Sequence, residues 1–240
     1  MTSEPTVDGL RARHRVSPTR RSSRRAFMRG ALGGIAILLV SVPVGFSADD
    51  AVEDAELTAE PTQIIEKAAG EIMAVLARKD EPAEVRVREI EEIAYAIFDF
   101  TTMSKLVLAR NWRKMDKPKR AEFVREFKTH LSRTYGTRLD RYDQEEVEVY
   151  GAQVEVRNDV TVKSRIVGGQ FDGAEIAYRL RNRKDAWKII DVVIEGVSLV
   201  SNYRSQFATV LNGGTIDDLI TKLKDKNFVV DEPEPEKGQG

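Results

Sequence analysis

Two acidic side chains near the end of the last predicted strand are the first candidates for chemistry. Asp191 and Glu195 flank that strand end, and carboxyl groups in such a position can exchange protons with a bound substrate. Tyr178 and Tyr203 would supply partner hydroxyls. The same acids can instead cap the following helix, because a carboxylate accepts hydrogen bonds from the first backbone amides of a helix. We favour capping, and acid–base chemistry by Asp191 with a tyrosine stays open as an alternative.

Most other catalytic chemistry is excluded by residue types. The 240 residues include no Cys, which removes disulfides, thiolate zinc sites, iron–sulfur clusters and cysteine nucleophiles. Two histidines, His14 and His130, are too few for a multi-histidine metal centre. The phosphate-binding, metalloprotease and nucleophile-elbow motifs are missing as well. We therefore expect no catalytic residue, no metal site and no resident cofactor.

Charge is distributed unevenly along the chain. Residues 1–48 carry eight arginines against Glu4 and Asp8, whereas acids outnumber bases in the remainder. A mildly acidic body argues against nucleic acid as a partner. A basic segment at residues 110–120 is the exception. It can make a transient contact with an anionic membrane surface or an acidic partner protein, or it can be only the solvated junction of two helices.

The N-terminal region predicts an export signal. Arginines at 24 and 25 precede an apolar run, Ala31–Phe46, that is shorter than the roughly 20 residues of a membrane-spanning helix. Ser23, the paired arginines and Phe27 resemble the twin-arginine signal of bacteria. We predict a cleaved signal at residues 1–48, a flexible lead-in at 49–59, one folded domain at 60–228 and a disordered acidic tail at 229–240.

Apolar periodicity predicts a helical first half. Helical spacing begins at Pro61, a residue suited to a first helical turn, and a further helix opens at Asp99. Asp116 precedes a long helix with one apolar stripe: Phe123, Phe127, Leu131, Tyr135, Leu139 and Tyr142. Helical spacing returns after Val197, and Thr215 with Asp218 resembles a capping box for a final helix.

Between these helical parts the apolar period changes to two. Alternating runs begin near Val147, Val160, Ile176 and Trp187, and glycine or asparagine turns separate them. The pattern predicts an antiparallel meander. The fold class is therefore α+β, with a helical layer packed on a curved antiparallel sheet. Periodicity alone leaves open whether the apolar faces form a solid core or enclose a pocket.

One run of residues resembles a known family. Residues 191–207 read DVVIEGVSLVSNYRSQF and follow Trp187-Lys188. This run resembles the hallmark of the MlaC family, periplasmic phospholipid-binding proteins also called toluene-tolerance auxiliary components of an ABC transport system. Phe98-Asp99-Phe100 and Arg133-Thr134-Tyr135 agree with its helical half, and the similarity spans about residues 60–227. A subgroup associated with hopanoid lipids shares much of the pattern.

The resemblance implies a fold that encloses an apolar pocket, with phospholipid as cargo and no cofactor. It implies hand-over between an outer-membrane lipoprotein complex and an inner-membrane ABC transporter complex in the periplasm. On this reading, inward-facing stripes supply the candidate acyl contacts: Leu106, Leu131, Tyr135, Ile176, Tyr178, Val197, Val200, Tyr203 and Phe207. Asn202 and Arg204 are candidates for the pocket rim or a partner contact. A hopanoid-associated carrier and an assembly protein with a solid core are the remaining alternatives.

Overall fold

The computed structural model describes residues 48–139, 145–184 and 186–225. The predicted export signal, apart from Ala48, and the predicted tail at 229–240 lie outside these residues. Six α-helices are described: α1 (Ala48–Leu76), α2 (Ala83–Ile97), α3 (Phe100–Leu108), α4 (Lys117–Leu139), α5 (Leu199–Gly213) and α6 (Ile216–Lys224). Five strands lie between α4 and α5: β1 (Glu146–Val154), β2 (Val160–Val167), β3 (Glu175–Arg183), β4 (Ala186–Ile194) and β5 (Val197–Ser198). Short 3₁₀ helices span Ala109–Lys114 and Val156–Asn158.

The first helix begins earlier than the sequence predicts. Residues 49–59, expected to be a flexible lead-in, belong to α1, and Pro61 lies inside that helix instead of in its first turn. Alanine and glutamate are frequent in this stretch, and both favour helix strongly enough to outweigh the acidic composition on which the prediction relied.

Side-chain caps mark the starts of α3, α4 and α6. The Asp99 carboxylate accepts a hydrogen bond from the Thr102 amide at 2.8 Å, which starts α3. Asp116 accepts from the Lys119 amide at the same distance, which starts α4. Thr215 and Asp218 form a reciprocal capping box at the start of α6, as predicted. Side-chain acceptors at these positions satisfy amides that have no partner within the helix.

The strands form one antiparallel sheet in the order β1-β2-β3-β4-β5, which confirms the predicted meander. Register shifts mark bulges at Tyr150 in β1 and Ile190 in β4, and bulges bend and twist a sheet locally. Glu195 and Gly196 form the two-residue turn between β4 and β5, both with positive φ. That conformation matches the twist of a tight hairpin, and glycine adopts it readily at the second position.

Two large apolar clusters and two smaller ones make up the interior of the described residues, and the two large ones differ in composition. The helical cluster joins α3, α4, α5 and α6 through residues that include Met103, Phe123, Phe127, Tyr203 and Phe207. The sheet cluster joins one face of the sheet to α1, and its buried members are Ile65, Val160, Val162, Leu180, Trp187, Ile189, Val192 and Leu199. Tyr135 and Phe98 pack against both clusters. The interior therefore has one all-helical part and one part in which helices face a sheet.

Candidate functional site

An apolar cavity of about 260 Å³ lies between the inner face of the sheet and the helices α1 to α4. Ligand pockets in proteins have volumes of about 300–1,000 Å³, so this volume lies just below the usual range. Apolar cavities of about 150 Å³ already hold a molecule the size of benzene. The space is therefore large enough to receive hydrocarbon.

Local sequence explains why the space exists. Ala68, Ala69 and Ala94 stand at wall positions on α1 and α2, where a larger side chain would project into the cavity. Ile176 and Tyr178 of β3 face the same space from the sheet, because residues two apart in a strand share a face. Small residues among the larger apolar side chains of the helices leave part of the space between the helices and the sheet unfilled.

The polar side chains that the helices contribute to the wall lie on one side of it, and the sheet contributes Tyr178. Glu91 and Tyr95 come from α2, and Ser132 and Tyr135 come from the facing part of α4. Tyr95 Oη and Ser132 Oγ are 2.8 Å apart and share a hydrogen bond. The line of contact between α2 and α4, here called the α2–α4 seam, is thus the one part of the described wall where helices present several polar side chains.

Two tyrosines on the wall stay protonated at ordinary pH. Burial raises the pKa of Tyr178, and a hydrogen bond between Tyr178 and Ser164 opposes that rise only in part. Burial also raises the pKa of Tyr95, and the nearby Glu91 carboxylate adds to the effect. Neutral hydroxyls in an apolar wall can orient a ligand, whereas proton abstraction would require an ionised form that this environment disfavours.

Four predicted acyl contacts line this cavity: Leu131, Tyr135, Ile176 and Tyr178. Two of them belong to α4 and two to β3. The cavity wall therefore combines one helical stripe with one face of the sheet, which is the combination from which the sequence analysis selected them.

Five predicted acyl contacts lie elsewhere. Val200, Tyr203 and Phe207 are buried in the helical cluster, and Leu106 packs against it. Val197 is 42% exposed beside the β4–β5 turn. The apolar stripe of α5 faces α3, α4 and α6 instead of the sheet. Val200, Tyr203 and Phe207 therefore do not line the cavity. Only Leu199, the first residue of α5, reaches the cavity.

Sequence reasoning missed the contribution of α1 and α2. Ile65, Ile72, Tyr95 and Phe98 all line the cavity, although the sequence analysis chose no site residue before Leu106. The available signal in the sequence was the presence of alanines, namely Ala68, Ala69 and Ala94, among the apolar positions of these helices. Alanine at such a position fits close helix packing and a cavity wall equally well, so the pattern could not select between them.

The two predicted rim residues do not line this cavity. Arg204 Nε donates a hydrogen bond of 2.8 Å to the Leu106 carbonyl oxygen, and so ties α5 to α3. Asn202 Oδ1 accepts from Gln206 Nε2 one turn later, at 3.0 Å. Arg204 also borders a shallow groove together with Arg110 and Lys114 of the basic segment. These two residues organise the outer side of α5.

The Asp191 carboxylate holds the hallmark run in place. Its Oδ2 accepts from Arg179 at 2.9 Å and from the Ser198 hydroxyl at 2.7 Å, and its Oδ1 accepts from the Val200 amide at 3.0 Å. Ser198 in turn accepts from the Ser201 amide. Asp191 therefore links the sheet to the first turn of α5. This matches the capping interpretation for Asp191, whereas Glu195 lies in the hairpin turn and accepts from the Glu175 amide.

The residues of the acid–base alternative are not brought together. Asp191 pairs with Arg179 across the sheet, whereas the neighbouring pair is Tyr178 with Val192. Adjacent residues of a strand point to opposite faces, so Asp191 and Tyr178 are on different sides of the sheet. Tyr203 Oη instead contacts His130 Nε2 at 3.2 Å within the helical cluster. This geometry does not favour proton transfer between Asp191 and either tyrosine.

No group of three or more His, Asp or Glu side chains suited to a metal ion occurs within residues 48–139, 145–184 and 186–225. Over the same part of the chain, none of the helices combines the length and the apolar character needed to cross a bilayer.

Two curated proteins are similar to this chain in sequence. The toluene tolerance protein ttg2D of Pseudomonas putida is 24% identical over 134 residues, which is 55% of this chain and 62% of that protein. The intermembrane phospholipid transport system binding protein MlaC of Haemophilus influenzae is 23% identical over 122 residues, covering 49% and 57% of the two chains. The match therefore spans about three fifths of the length of these relatives.

A solved structure and a family model agree with these similarities. The phospholipid-binding protein of Ralstonia solanacearum, solved in complex with a phospholipid, superposes with a TM-score of 0.61 at 21% identity, over 69% of this chain and 96% of that one. It shows that the α+β fold is shared. The model of the family described as MlaC protein matches residues 66–225. Since that match extends over more than half of the sequence, the chain belongs to the MlaC family.

Proposed function

We propose that this protein binds a phospholipid with its acyl chains in the cavity between the sheet and α1 to α4, and carries it through the periplasm. The observation that carries the proposal is the wall itself, which is apolar except along the α2–α4 seam and at the Tyr178 hydroxyl. A wall of this kind suits a molecule with long hydrocarbon and a single polar end. Phospholipid is the cargo, and no resident cofactor takes part.

The energetics explain why a carrier needs such a cavity. Burial of a methylene group is worth about 0.8 kcal/mol, so two acyl chains with about thirty methylenes would cost on the order of 20 kcal/mol in open water. An apolar cavity removes the part of that cost that belongs to the methylenes it buries. Exchange between two apolar environments, the bilayer and the cavity, is then close to balanced, and partners can set its direction.

The relatives support this choice of ligand. The Ralstonia solanacearum protein was solved with a bound phospholipid, and the Haemophilus influenzae relative is described as an intermembrane phospholipid transport system binding protein. We extend to this chain the partners implied by its family: an outer-membrane lipoprotein complex and an inner-membrane ABC transporter complex. A binding and transport role also agrees with the separation of Asp191 from Tyr178 and Tyr203.

Native mass spectrometry tests the proposal most simply. Protein purified from the producing cells without detergent should carry an added mass equal to one phospholipid, which extraction and fragmentation identify. A hopanoid would give a different mass and would support the hopanoid-associated alternative. Delipidated protein mixed with phosphatidylglycerol and phosphatidylethanolamine vesicles should take up lipid. Protein that is unliganded as purified and remains so with vesicles would refute the proposal.

The periplasmic location is a separate part of the proposal. It relies on residues 24 and 25 and the apolar run after them. Replacement of both arginines by lysine should leave the precursor in the cytoplasm if the twin-arginine route is used. Unchanged export of this variant, measured by cell fractionation, would contradict that route. Wild-type protein that stays in the cytoplasm with its signal uncleaved would contradict a periplasmic role.

A further inference from the structure

A phospholipid bound as proposed must place its phosphate somewhere, and the wall restricts the choice. The polar side chains of the wall are concentrated on the α2–α4 seam, where Tyr95 Oη and Ser132 Oγ share a hydrogen bond. Farther along the seam the helices are close, because a Cβ at Gly136 would lie 3.0 Å from Val87 Cγ1. A headgroup that leaves the cavity along this seam would therefore pass near Tyr95 and Ser132 and not near Gly136.

A lysine stands beside Tyr95 and Ser132. Lys128 lies one helical turn before Ser132 on α4, so the two side chains share a face of the helix. Its Nζ is 3.2 Å from the centroid of the Tyr95 ring and 5.8 Å from that of Phe100, and both rings line the cavity. The side chain is half-buried. The ammonium group therefore lies against two residues of the wall, although Lys128 itself does not line the cavity.

The charge of Lys128 is not balanced by a carboxylate. Lys119 on the same helix pairs with Glu122 and Asp217, and Lys224 also pairs with Glu122. Lys128 has aromatic contacts, and no described carboxylate lies within 4.0 Å of its Nζ. Aromatic faces stabilise a cation only in part. A half-buried ammonium with free donor capacity would gain a charge-assisted hydrogen bond from an anionic oxygen.

We propose that Lys128 pairs with the phosphate of the bound phospholipid, next to the Tyr95 and Ser132 hydroxyls, and so selects phospholipids over uncharged lipids with the same acyl chains. The inference rests on the proposed function, since it concerns the same cavity. Lysine acts as a point charge towards phosphate, so it recognises the phosphodiester shared by different headgroups. Glu91 lies one turn before Tyr95 on the same wall, and its carboxylate disfavours a second negative charge on the headgroup.

A competition between two lipids isolates the contribution of the phosphate. Delipidated protein is mixed with vesicles of dioleoyl phosphatidylethanolamine and dioleoyl phosphatidylglycerol that also contain dioleoylglycerol, which has the same chains without phosphate. Native mass spectrometry then gives the ratio of phospholipid to dioleoylglycerol bound. Wild-type protein should favour phospholipid, and Lys128→Gln should lower the ratio by about tenfold, the loss expected for one charge-assisted hydrogen bond.

Matched variants separate charge from packing. Lys128→Met keeps an aliphatic stem over the rings and should behave like Lys128→Gln, whereas Lys128→Arg should restore the wild-type ratio. Lys119→Gln removes a cation from the same helix that already has acidic partners, and it should leave the ratio unchanged. Thermal unfolding of each variant checks that the fold is intact.

The outcomes distinguish this inference from the proposed function. Phospholipid uptake by Lys128→Gln and Lys128→Met with an unchanged ratio would overturn the role of Lys128 and leave the proposed function in place. Wild-type protein that takes up neither lipid would refute the proposed function. If the neutral variants fail to fold, the ratio of lipids bound by wild-type protein is the test. Equal uptake of dioleoylglycerol and phospholipid would overturn the inference.

Discussion

Helix α4 runs through two regions that differ in packing. In its first half, Phe123 and Phe127 are at most 1% exposed within the helical cluster. In its second half, Ser132 and Tyr135 face the cavity, and Leu131 belongs to both regions. The same four-residue spacing produces both. An apolar stripe therefore shows which face of a helix points inward. It does not show whether a neighbouring element packs directly against that face.

The difference comes from the partners of the helix. In the helical cluster, α5 supplies Tyr203 and Phe207, whose rings lie 5.2 and 5.6 Å from that of Phe127. Aromatic rings in these edge-to-face arrangements fill space efficiently. Around the cavity, α1 and α2 supply alanines among their larger apolar side chains, and the sheet lies across a gap. The helical cluster should therefore govern stability, and the cavity should govern binding.

Phe127→Ala should have the largest effect on stability. The side chain is 1% exposed and contacts three other aromatic rings, so its removal leaves a cavity that neighbours cannot close. A loss of about 3–5 kcal/mol in the free energy of unfolding is expected, measured by urea denaturation. The fraction that remains folded should bind lipid normally. A loss below about 1 kcal/mol would contradict a solid helical cluster.

Asp191→Asn should have the next largest effect. It removes a buried charge that holds Arg179, the Ser198 hydroxyl and the Val200 amide. Breaking a fully buried pair costs about 3–5 kcal/mol, and the 39% exposure of Arg179 reduces this to about 3 kcal/mol. Thermal unfolding measures the change. The folded protein should still carry lipid. If the protein instead turns over a substrate, and the variant loses that turnover without loss of stability, the result would support the acid–base alternative.

Acid should weaken the helical cluster through His130. Burial, with the nearby Arg133 charge, lowers the pKa of His130 to about 4 from the ordinary 6.5. As pH falls, the unfolded chain takes up the proton first. The contribution of His130 to stability is therefore fully present above pH 6.5 and is lost as the pH falls from 6.5 to 4, a loss on the order of 3 kcal/mol.

The control is His130→Gln, which cannot be protonated in this range. The difference in unfolding free energy between wild type and variant isolates the histidine from the carboxylates that also titrate. That difference should change between pH 7 and 4. A difference that stays constant across this range would show that His130 is accessible to protons in the folded state.

The smallest stability effect is expected for a bulky residue at the cavity. Ala94→Trp projects into empty space and should change the free energy of unfolding by less than about 1 kcal/mol, while it reduces lipid uptake strongly. Val200→Trp adds a similar ring to the helical cluster and should cost about 1–3 kcal/mol through overpacking. Uptake per folded molecule should be lower for Ala94→Trp. The reverse ranking would place the lipid near α5.

Much of the fold follows from local signals in the sequence. Alternation predicted the strands, and the Thr215–Asp218 capping box was visible in the chain. The predicted start of α1 at Pro61 was wrong. The prediction relied on Pro61 and the acidic residues before it and gave too little weight to the high helix propensity of alanine and glutamate. Propensity summed over a long segment outweighs a single residue that favours another position.

The cavity was harder to predict, for a reason that Tyr135 and Tyr203 illustrate. Both lie on apolar stripes and both are large, yet Tyr135 lines the cavity and Tyr203 is fully buried against His130. Their difference depends on which elements face each other across the interior. That information resides in tertiary packing, and spacing along one helix does not contain it.

Acyl chains should occupy the cavity between the sheet and α1 to α4. The direct measurement uses a phospholipid with a photoactivatable diazirine in one acyl chain, bound to the protein and activated by light, with mass spectrometry of the cross-linked peptides. Cross-links should occur in the peptide of α1 that contains Ile65 and Ala68 and in the peptide of β3 that contains Tyr178. Cross-links confined to Tyr203 and Phe207 of the helical cluster, or to exposed surface residues, would contradict the claim.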